Sequence, residues 1–348
     1  MAIVDFFRKR ERVAGIDFGT SGVKLVVVEP ERKRPVVVYA TTIDYPEPVS
    51  SVVEVLDSVS FVRIMETVWR YIPEKVTKVS FVMPGRLVMV HAIELPKDVA
   101  NVRGFVEEEL RTRIPFALDE ISYDIHVFAH GDRNMALCVI TKKDVLERCR
   151  RILSSMGAEV AVVDTAFTAL ANLFLFNYPE VADHNAVILL DIGETNTNVV
   201  FVKEGNMVLG QCLSDANEGM IARRVAEAAG ISVEEALDRL RSGGVDEVIL
   251  SDATRELCSV ISSELMVVGS RLGDFVVDKI YITGGAALNP YMPGLLREFT
   301  AVPDVEPMMP LRRFGLSRKL DRVFVEEISN PLSLALGGTL SLIFSEAG

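Results

Sequence analysis

The sequence predicts an α/β protein built from two related lobes, and three observations carry that prediction. The stretch "GIDFGTSGVK" (Gly15–Lys24) runs strand, Asp-x-Gly, small polar turn, strand, and "LLDIGETNTNVV" (Leu189–Val200) repeats the pattern. Asp17 and Asp191 stand half of the 348-residue chain apart, as one such unit per half requires. Apolar strand patterns mix with helical ones in both halves, the signature of a layered α/β architecture. A late strand, "KIYIT", then ends in Gly284-Gly285.

The elements follow in order. Between Val13 and Val90, "AGIDF", "VKLVVVE", "PVVVYATTI" and "KVSFVMP" read as strands around one helix near 58–71. From about 86 to 129 the texture changes to a helix over 99–113, stopped by Ile114-Pro115, and then a strand. "MALCVITKKDVLERCRRILSSMGAEVAVVDTAFTALANLF" supplies strand, amphipathic helix, strand and helix. After the second Asp-x-Gly, helices fill about 216–268, before the strand "DKIYITGG" and the apolar helix "NPLSLALGGTLSLIF". The expected domains are 1–85 and 131–183 for the first lobe and 86–130 for a small inserted α+β domain. The second lobe is 184–348, with a helical subdomain about 215–270 and a last helix returning to the hinge.

Composition narrows the function classes. With 49% hydrophobic and 25% charged residues, the chain can build real cores without staples. Cys138, Cys149, Cys212 and Cys258 fall in no CxxC spacing, and the four histidines form no HExxH, which argues against a zinc or disulfide scaffold and fits a reducing cytosol. A net charge of −12 argues against general nucleic-acid binding. The most apolar stretch, Val160–Phe176, carries Asp164 and Asn172 and reads as a buried strand turning into a helix, not a membrane span. The leader "MAIVDFFRKRERV" reverses the order of a secretory signal and reads either as a frayed end or as a contact for an anionic surface.

The motifs each admit two readings. Gly19 and Gly22 suit a plain hairpin, or else a turn whose amides converge on an anion while Lys24 adds charge and Asp17 holds a hydrated metal ion. The second copy at Asp191 favours the anion. Gly284-Gly285 ends a strand, or forms a shelf where a flat ligand meets backbone with no Cβ in the way. Asp164 suits the N-cap of "TAFTALAN", or a chemical role as a carboxylate.

Asp17-Phe18-Gly19-Thr20, Asp191-Ile192-Gly193 and Ile282-Thr283-Gly284-Gly285, in that order, resemble the two phosphate loops and the adenosine motif of the actin-like ATPase superfamily of actin, sugar kinases and DnaK-type chaperones. "VVDTAFTALAN" and "NPLSLALGGTL" resemble its two connecting helices. Within it, "ELPKDVANVRGFVEEELRTRIPFALDEISYDIHVF" is similar to the inserted domain of the PilM family of type IV pilus assembly, related to the division protein FtsA.

That resemblance implies an actin-like fold with ATP and Mg²⁺ between its lobes. The amides of Gly19, Thr20, Ser21 and Gly22 would cradle phosphates with Lys24, and Asp17 and Asp191 would hold water ligands of Mg²⁺. Gly193, Glu194 and Thr195 would close from the other lobe, and Gly284, Gly285 and Ala286 would take the adenosine. Asp164 stands where hydrolysing relatives place a Gln or Glu. Its short side chain, and the repulsive Glu194, point to at most weak ATPase activity.

The resemblance also implies a partner, the cytoplasmic N-terminal tail of a PilN-like bitopic protein, in a groove beside the inserted domain. Ile114, Phe116 and Tyr123 are the candidate pocket residues; the alternative is that they pack the domain's own core. The protein would be cytoplasmic, peripheral at the inner membrane through that partner, and would serve pilus assembly and twitching motility. Two other functions share the fold. A small-molecule kinase would need a catalytic aspartate with polar sugar-binding loops, which the sequence does not display, and an FtsA-like filament former would self-associate.

Overall fold

The computed structural model describes residues 11–19, 22–31, 33–45, 59–72, 76–155, 159–182, 186–271 and 276–345. In chain order, its first elements are β1 (Arg12–Phe18), β2 (Gly22–Glu29), β3 (Val36–Asp44), α1 (Val59–Tyr71), β4 (Val76–Met83), β5 (Val88–Leu95), α2 (Val102–Arg113) and β6 (Ile121–His130). There follow β7 (Arg133–Lys142), α3 (Lys143–Ser155), β8 (Glu159–Thr165), α4 (Ala166–Asn177), α5 (Pro179–Ala182), β9 (Ala186–Ile192), β10 (Thr197–Lys203) and β11 (Asn206–Leu213). The rest comprises α6 (Glu218–Ala229), α7 (Val233–Ser242), α8 (Glu247–Arg271), β12 (Lys279–Thr283), α9 (Met292–Thr300), β13 (Asp304–Pro307), β14 (Gly315–Leu316), α10 (Arg322–Glu327) and α11 (Ser333–Ser345).

Contacts divide the chain into two compact units, one of residues 1–84, 143–177 and 309–348, the other of 85–142 and 178–308. The first is organised by a six-stranded sheet of order β14-β3-β2-β1-β4-β8. β1, β2 and β3 form an antiparallel meander, and β4 and β8 add in parallel to β1. Continuous apolar runs bury β1 and β2 on both faces, the pattern of a covered sheet. The helix α11 lies against β1 and α4 at a distance only glycine permits. A Cβ on Gly15 would stand 2.0 Å from the Ala335 carbonyl oxygen, and one on Gly337 2.0 Å from that of Ala169. The small residues of "LALGGTL" are therefore a packing device.

The second unit holds a five-stranded sheet, β11-β10-β9-β12-β13, and a three-stranded one, β5-β7-β6. The latter carries α2, which starts at Asn101, whose side chain accepts from the Gly104 amide at 3.0 Å. It stops at Ile114, held extended by the following Pro115. Val106 and Leu110 of α2 pack on Ile93, Ile121, Ala136 and Ile140 of the sheet.

Three boundaries differ from the sequence reading, one of them at the end of α4, where the first unit stops at residue 177 instead of 183. β7 pairs with β6 from Ile121–Lys142 to His130–Arg133 across a turn at Gly131 with φ +61°, so the small domain runs on to Lys142. Residues 309–348 belong with the first unit, because β14 pairs with β3 and α11 covers β1. The strand β5, whose short apolar run is not distinct from its surroundings in the sequence, pairs with β7. Among the described residues, no helix is long and apolar enough to cross a membrane.

Candidate functional site

The first Asp-x-Gly turn is a hairpin. Asp17 pairs with Lys24 and Phe18 with Val23, and the Gly19 amide donates to the Gly22 carbonyl at 3.1 Å. The hairpin therefore takes the Gly19 amide out of the expected phosphate cradle. Thr20 and Ser21 lie outside the described residues. Gly19 serves a different end, since a Cβ on it would stand 2.1 Å from Lys24 Nζ. The missing side chain lets the ammonium fold back over the turn, where it also reaches the Gly22 carbonyl at 3.4 Å. Asp17 is buried, and the nearby Tyr45 hydroxyl is pushed up in pKa by burial and then by that carboxylate.

The second turn closes the same way. Asp191 pairs with Asn198 across β9 and β10, and the Gly193 amide donates to the Asn196 carbonyl at 3.0 Å. Its other carbonyls are all held. The α6 amides of Glu218 and Gly219 donate to Gly193 and Glu194 at 2.8 and 2.9 Å. Thr195 accepts from Asn217 Nδ2 at 3.1 Å and from Arg86 Nη2 at 3.0 Å. In a planar trans peptide the N–H points opposite to the C=O, so the amides of Glu194, Thr195 and Asn196 each point away from the donors that hold the carbonyl before them. Successive amides aimed together make an anion-binding concavity. Beside them, buried Asp191 accepts from Asn198 Nδ2 at 2.9 Å.

Gly284 and Gly285 adjoin this turn, each with a neighbouring atom where a Cβ would stand. Gly284 adopts φ +84° and ψ −172°, a region essentially reserved to glycine. A Cβ on it would stand 2.5 Å from the Ile192 carbonyl oxygen and 2.9 Å from Asp191 Oδ1. The neighbouring strand makes a close approach there. Over Gly285 lies the Glu218 carboxylate, 2.5 Å from where a Cβ would be. Ala286 is buried in the short 3₁₀ turn that follows. Glu218 was missed in the sequence, although "DANEGM" carries an N-cap signal: Asn217 Oδ1 accepts from the Met220 amide at 3.1 Å and places Glu218 in the first turn of α6.

Asp164 fits neither expected role. The cap of α4 is Thr165, whose Oγ1 accepts from the Thr168 amide at 3.2 Å, while Thr168 Oγ1 accepts from the Thr165 amide at 3.1 Å. Asp164 is instead a buried tie. Its Oδ1 accepts from the Thr165 amide at 2.8 Å and from the Thr168 hydroxyl, and its Oδ2 from the hydroxyl of Ser341 on α11. Ser341 in turn accepts from Asn172 Nδ2 at 3.0 Å. Burial raises the Asp164 pKa, with the three donors pulling the other way. Both oxygens are engaged, which leaves the carboxylate poorly suited to orienting a water.

In the small domain, Ile114 is 7% exposed and belongs to the core under α2, so it forms no part of an open pocket. Phe116 and Tyr123 sit partly buried at the edge of that core. Lys142 Nζ lies 4.1 Å from the Phe116 ring centre, and the Tyr123 hydroxyl donates to Glu107 and accepts from Arg103 at 3.0 Å. Burial and then Glu107 raise the Tyr123 pKa.

Paired Asp-x-Gly hairpins on two α/β sheets, with a Gly-Gly strand end beside the second, define a member of the actin-like ATPase fold. Solved structures agree: MreB5 of Spiroplasma citri bound to ADP is similar at 10% identity over 97% of each chain (TM-score 0.53). The ethanolamine utilization protein EutJ from Carboxydothermus hydrogenoformans is similar at 14% identity over 95% of this chain and 90% of that one (TM-score 0.50). A PilM–PilN type IV pilus biogenesis complex is similar at 18% identity over 96% of this chain and 98% of that one, with a TM-score of 0.77. The family model described as type IV pilus assembly protein PilM matches residues 15–341, and the chain belongs to that family. No curated protein sequence matches significantly.

Proposed function

We propose that this protein binds ATP with Mg²⁺ and acts as a nucleotide-dependent scaffold in type IV pilus assembly, docking the cytoplasmic tail of a PilN-like membrane protein. The observation that carries the nucleotide is the second turn, where every carbonyl from Gly193 to Asn196 is held by the protein and the intervening amides point away from those donors, beside buried Asp191. Phosphate suits such a set of amides. At the first turn, Lys24 supplies the cation. Among the described residues no three His, Cys, Asp or Glu side chains gather as a metal site. Mg²⁺ would sit on phosphate oxygens and waters, with Asp17 and Asp191 holding the waters, which is its habit in nucleotide sites. The MreB5 structure, with ADP in the same fold, supports the reading. Adenosine is assigned to the Gly284–Ala286 segment, with Glu218 as an added contact.

Hydrolysis is slow or absent on this reading, because the Asp164 carboxylate is held by Thr165, Thr168 and Ser341. Calorimetric titration of ATP–Mg²⁺ tests the binding. The parent should bind, and Asp17→Asn and Asp191→Asn, checked for folding by circular dichroism, should bind more weakly; a folded parent with no ATP binding overturns it. Phosphate release should stay far below the ordinary enzyme rate of about 10 per second.

For the partner, the family and its resemblance to the PilM–PilN complex support a PilN-like tail. The small sheet ends in β6, which pairs on one side with β7. A peptide laid along the other side would gain backbone hydrogen bonds and place alternate side chains near Phe116 and Tyr123. The protein would then be cytoplasmic and held at the inner membrane by its partner. A synthetic PilN-like N-terminal peptide should bind the parent and bind Phe116→Ala more weakly; equal binding by the folded variant removes this placement.

A further inference from the structure

Two side chains hold the Thr195 carbonyl, and only one of them is explained by the fold. Asn217 is buried, caps α6 and also donates to the Ser214 carbonyl at 2.8 Å. Arg86 is exposed, lies in the 3₁₀ turn Gly85–Leu87 that opens the small domain, and crosses 109 residues of sequence to reach Thr195. Its guanidinium also faces Cys212 on β11, where burial pushes the thiol up to about 11 and Arg86 is the largest influence drawing it down. A permanent positive charge thus stands at the back of the turn, whose own side chains include the acidic Glu194.

We propose that Arg86 is a positioning residue for a bound anion at the second turn. By drawing the Thr195 carbonyl back it aims the Asn196 amide to the opposite side, and its charge offsets the repulsion that Glu194 would exert on phosphate. The small domain thereby contributes a residue to the nucleotide turn. The inference rests on the nucleotide reading above and adds to it a residue that no motif marks.

The test is displacement of a fluorescent ATP analogue from the full chain by ATP and, separately, by adenosine, for the parent, Arg86→Ala and Arg86→Lys. Losing a charge-assisted bond makes ATP about tenfold weaker in Arg86→Ala. Adenosine, which has no phosphate, competes equally in both, and Arg86→Lys recovers most of the ATP affinity. Unchanged ATP affinity in Arg86→Ala, or equal losses for ATP and adenosine, overturns the role of Arg86 while leaving the nucleotide reading intact. A folded parent that binds no ATP overturns both. In nucleotide-free protein, alkylation of Cys212 at about pH 9, followed by peptide mass spectrometry, should slow in Arg86→Ala and not in Arg86→Lys, since losing the cation raises the thiol pKa; equal rates would show that the guanidinium is not held where the proposal needs it.

Discussion

At Asp17 and at Asp191 the chain makes the same manoeuvre: a buried strand ends in an aspartate, a glycine amide donates to the carbonyl three residues on, and a second strand returns antiparallel. The means of support differ. The first turn is faced by a flexible cation, Lys24, folded over Gly19. The second is held from behind by two helix amides, an asparagine and an arginine. One motif can therefore present positive potential either as a mobile side chain or as fixed backbone dipoles. The two should respond differently to mutation, the second mainly in stability and the first mainly in affinity.

Gly284→Ala tests the fixed side most severely. The alanine would need a backbone region essentially closed to it while its Cβ met the Ile192 carbonyl and Asp191. A loss of about 3 kcal/mol or more is expected by urea denaturation. A cost below about 1 kcal/mol would mean that the β9–β12 junction can open without penalty.

A third strand-end aspartate sharpens the contrast. Asp164 closes β8 without an x-Gly after it, and its carboxylate becomes a tie between α4 and α11. Asp164→Ala should cost about 2–3 kcal/mol, because buried donors lose their acceptor. The pH dependence has a definite sign. Burial raises the folded pKa above the ordinary 3.8, so the stability this carboxyl contributes is full below that value and is lost as pH rises through the raised one. Asp164→Asn cannot ionise, so its stability deficit against the parent should shrink as pH rises above 3.8 and through the raised pKa. A deficit that grows over that interval would show the carboxylate to be stabilised as the ion.

Asn217→Ala removes the α6 cap and one of the two donors to Thr195 together. Thermal unfolding should report a loss of about 1–2 kcal/mol. Among the described residues no asparagine holds the first turn in this way, so a null result would erase the asymmetry.

The hairpins and the last helix were legible because each is written locally. Asp-x-Gly between apolar runs is both strand end and turn, and the small residues of "LALGGTL" mark a close helix contact. The small domain runs past 130 because Gly131-Asp132 is a hairpin signal, and a hairpin binds β7 to β6. The cap of α4 went to Thr165 instead of Asp164 because Thr168, three residues on, could return its bond. Arg86 was illegible for another reason: its partner is 109 residues away, and no local pattern encodes that distance.

The smallest effect is expected at Gly19. Among the described residues, the atom a Cβ there would crowd is the far end of the Lys24 side chain, with the Gly22 carbonyl oxygen at an ordinary 3.4 Å, whereas one on Gly193 stands 3.2 Å from the Asn196 carbonyl oxygen. A lysine tip can swing aside and a backbone cannot. Gly19→Ala should therefore lose less than about 1 kcal/mol of stability, and Gly193→Ala about 1–2 kcal/mol. Affinity should rank differently. Displacing the ammonium makes Gly19→Ala a partial copy of Lys24→Ala, which should weaken ATP about tenfold. Paired urea denaturation and ATP titration of the three variants decide the matter. If Gly19→Ala proves as destabilising as Gly193→Ala, or binds ATP as the parent does while Lys24→Ala does not, the first turn is not governed by a cation that depends on Gly19.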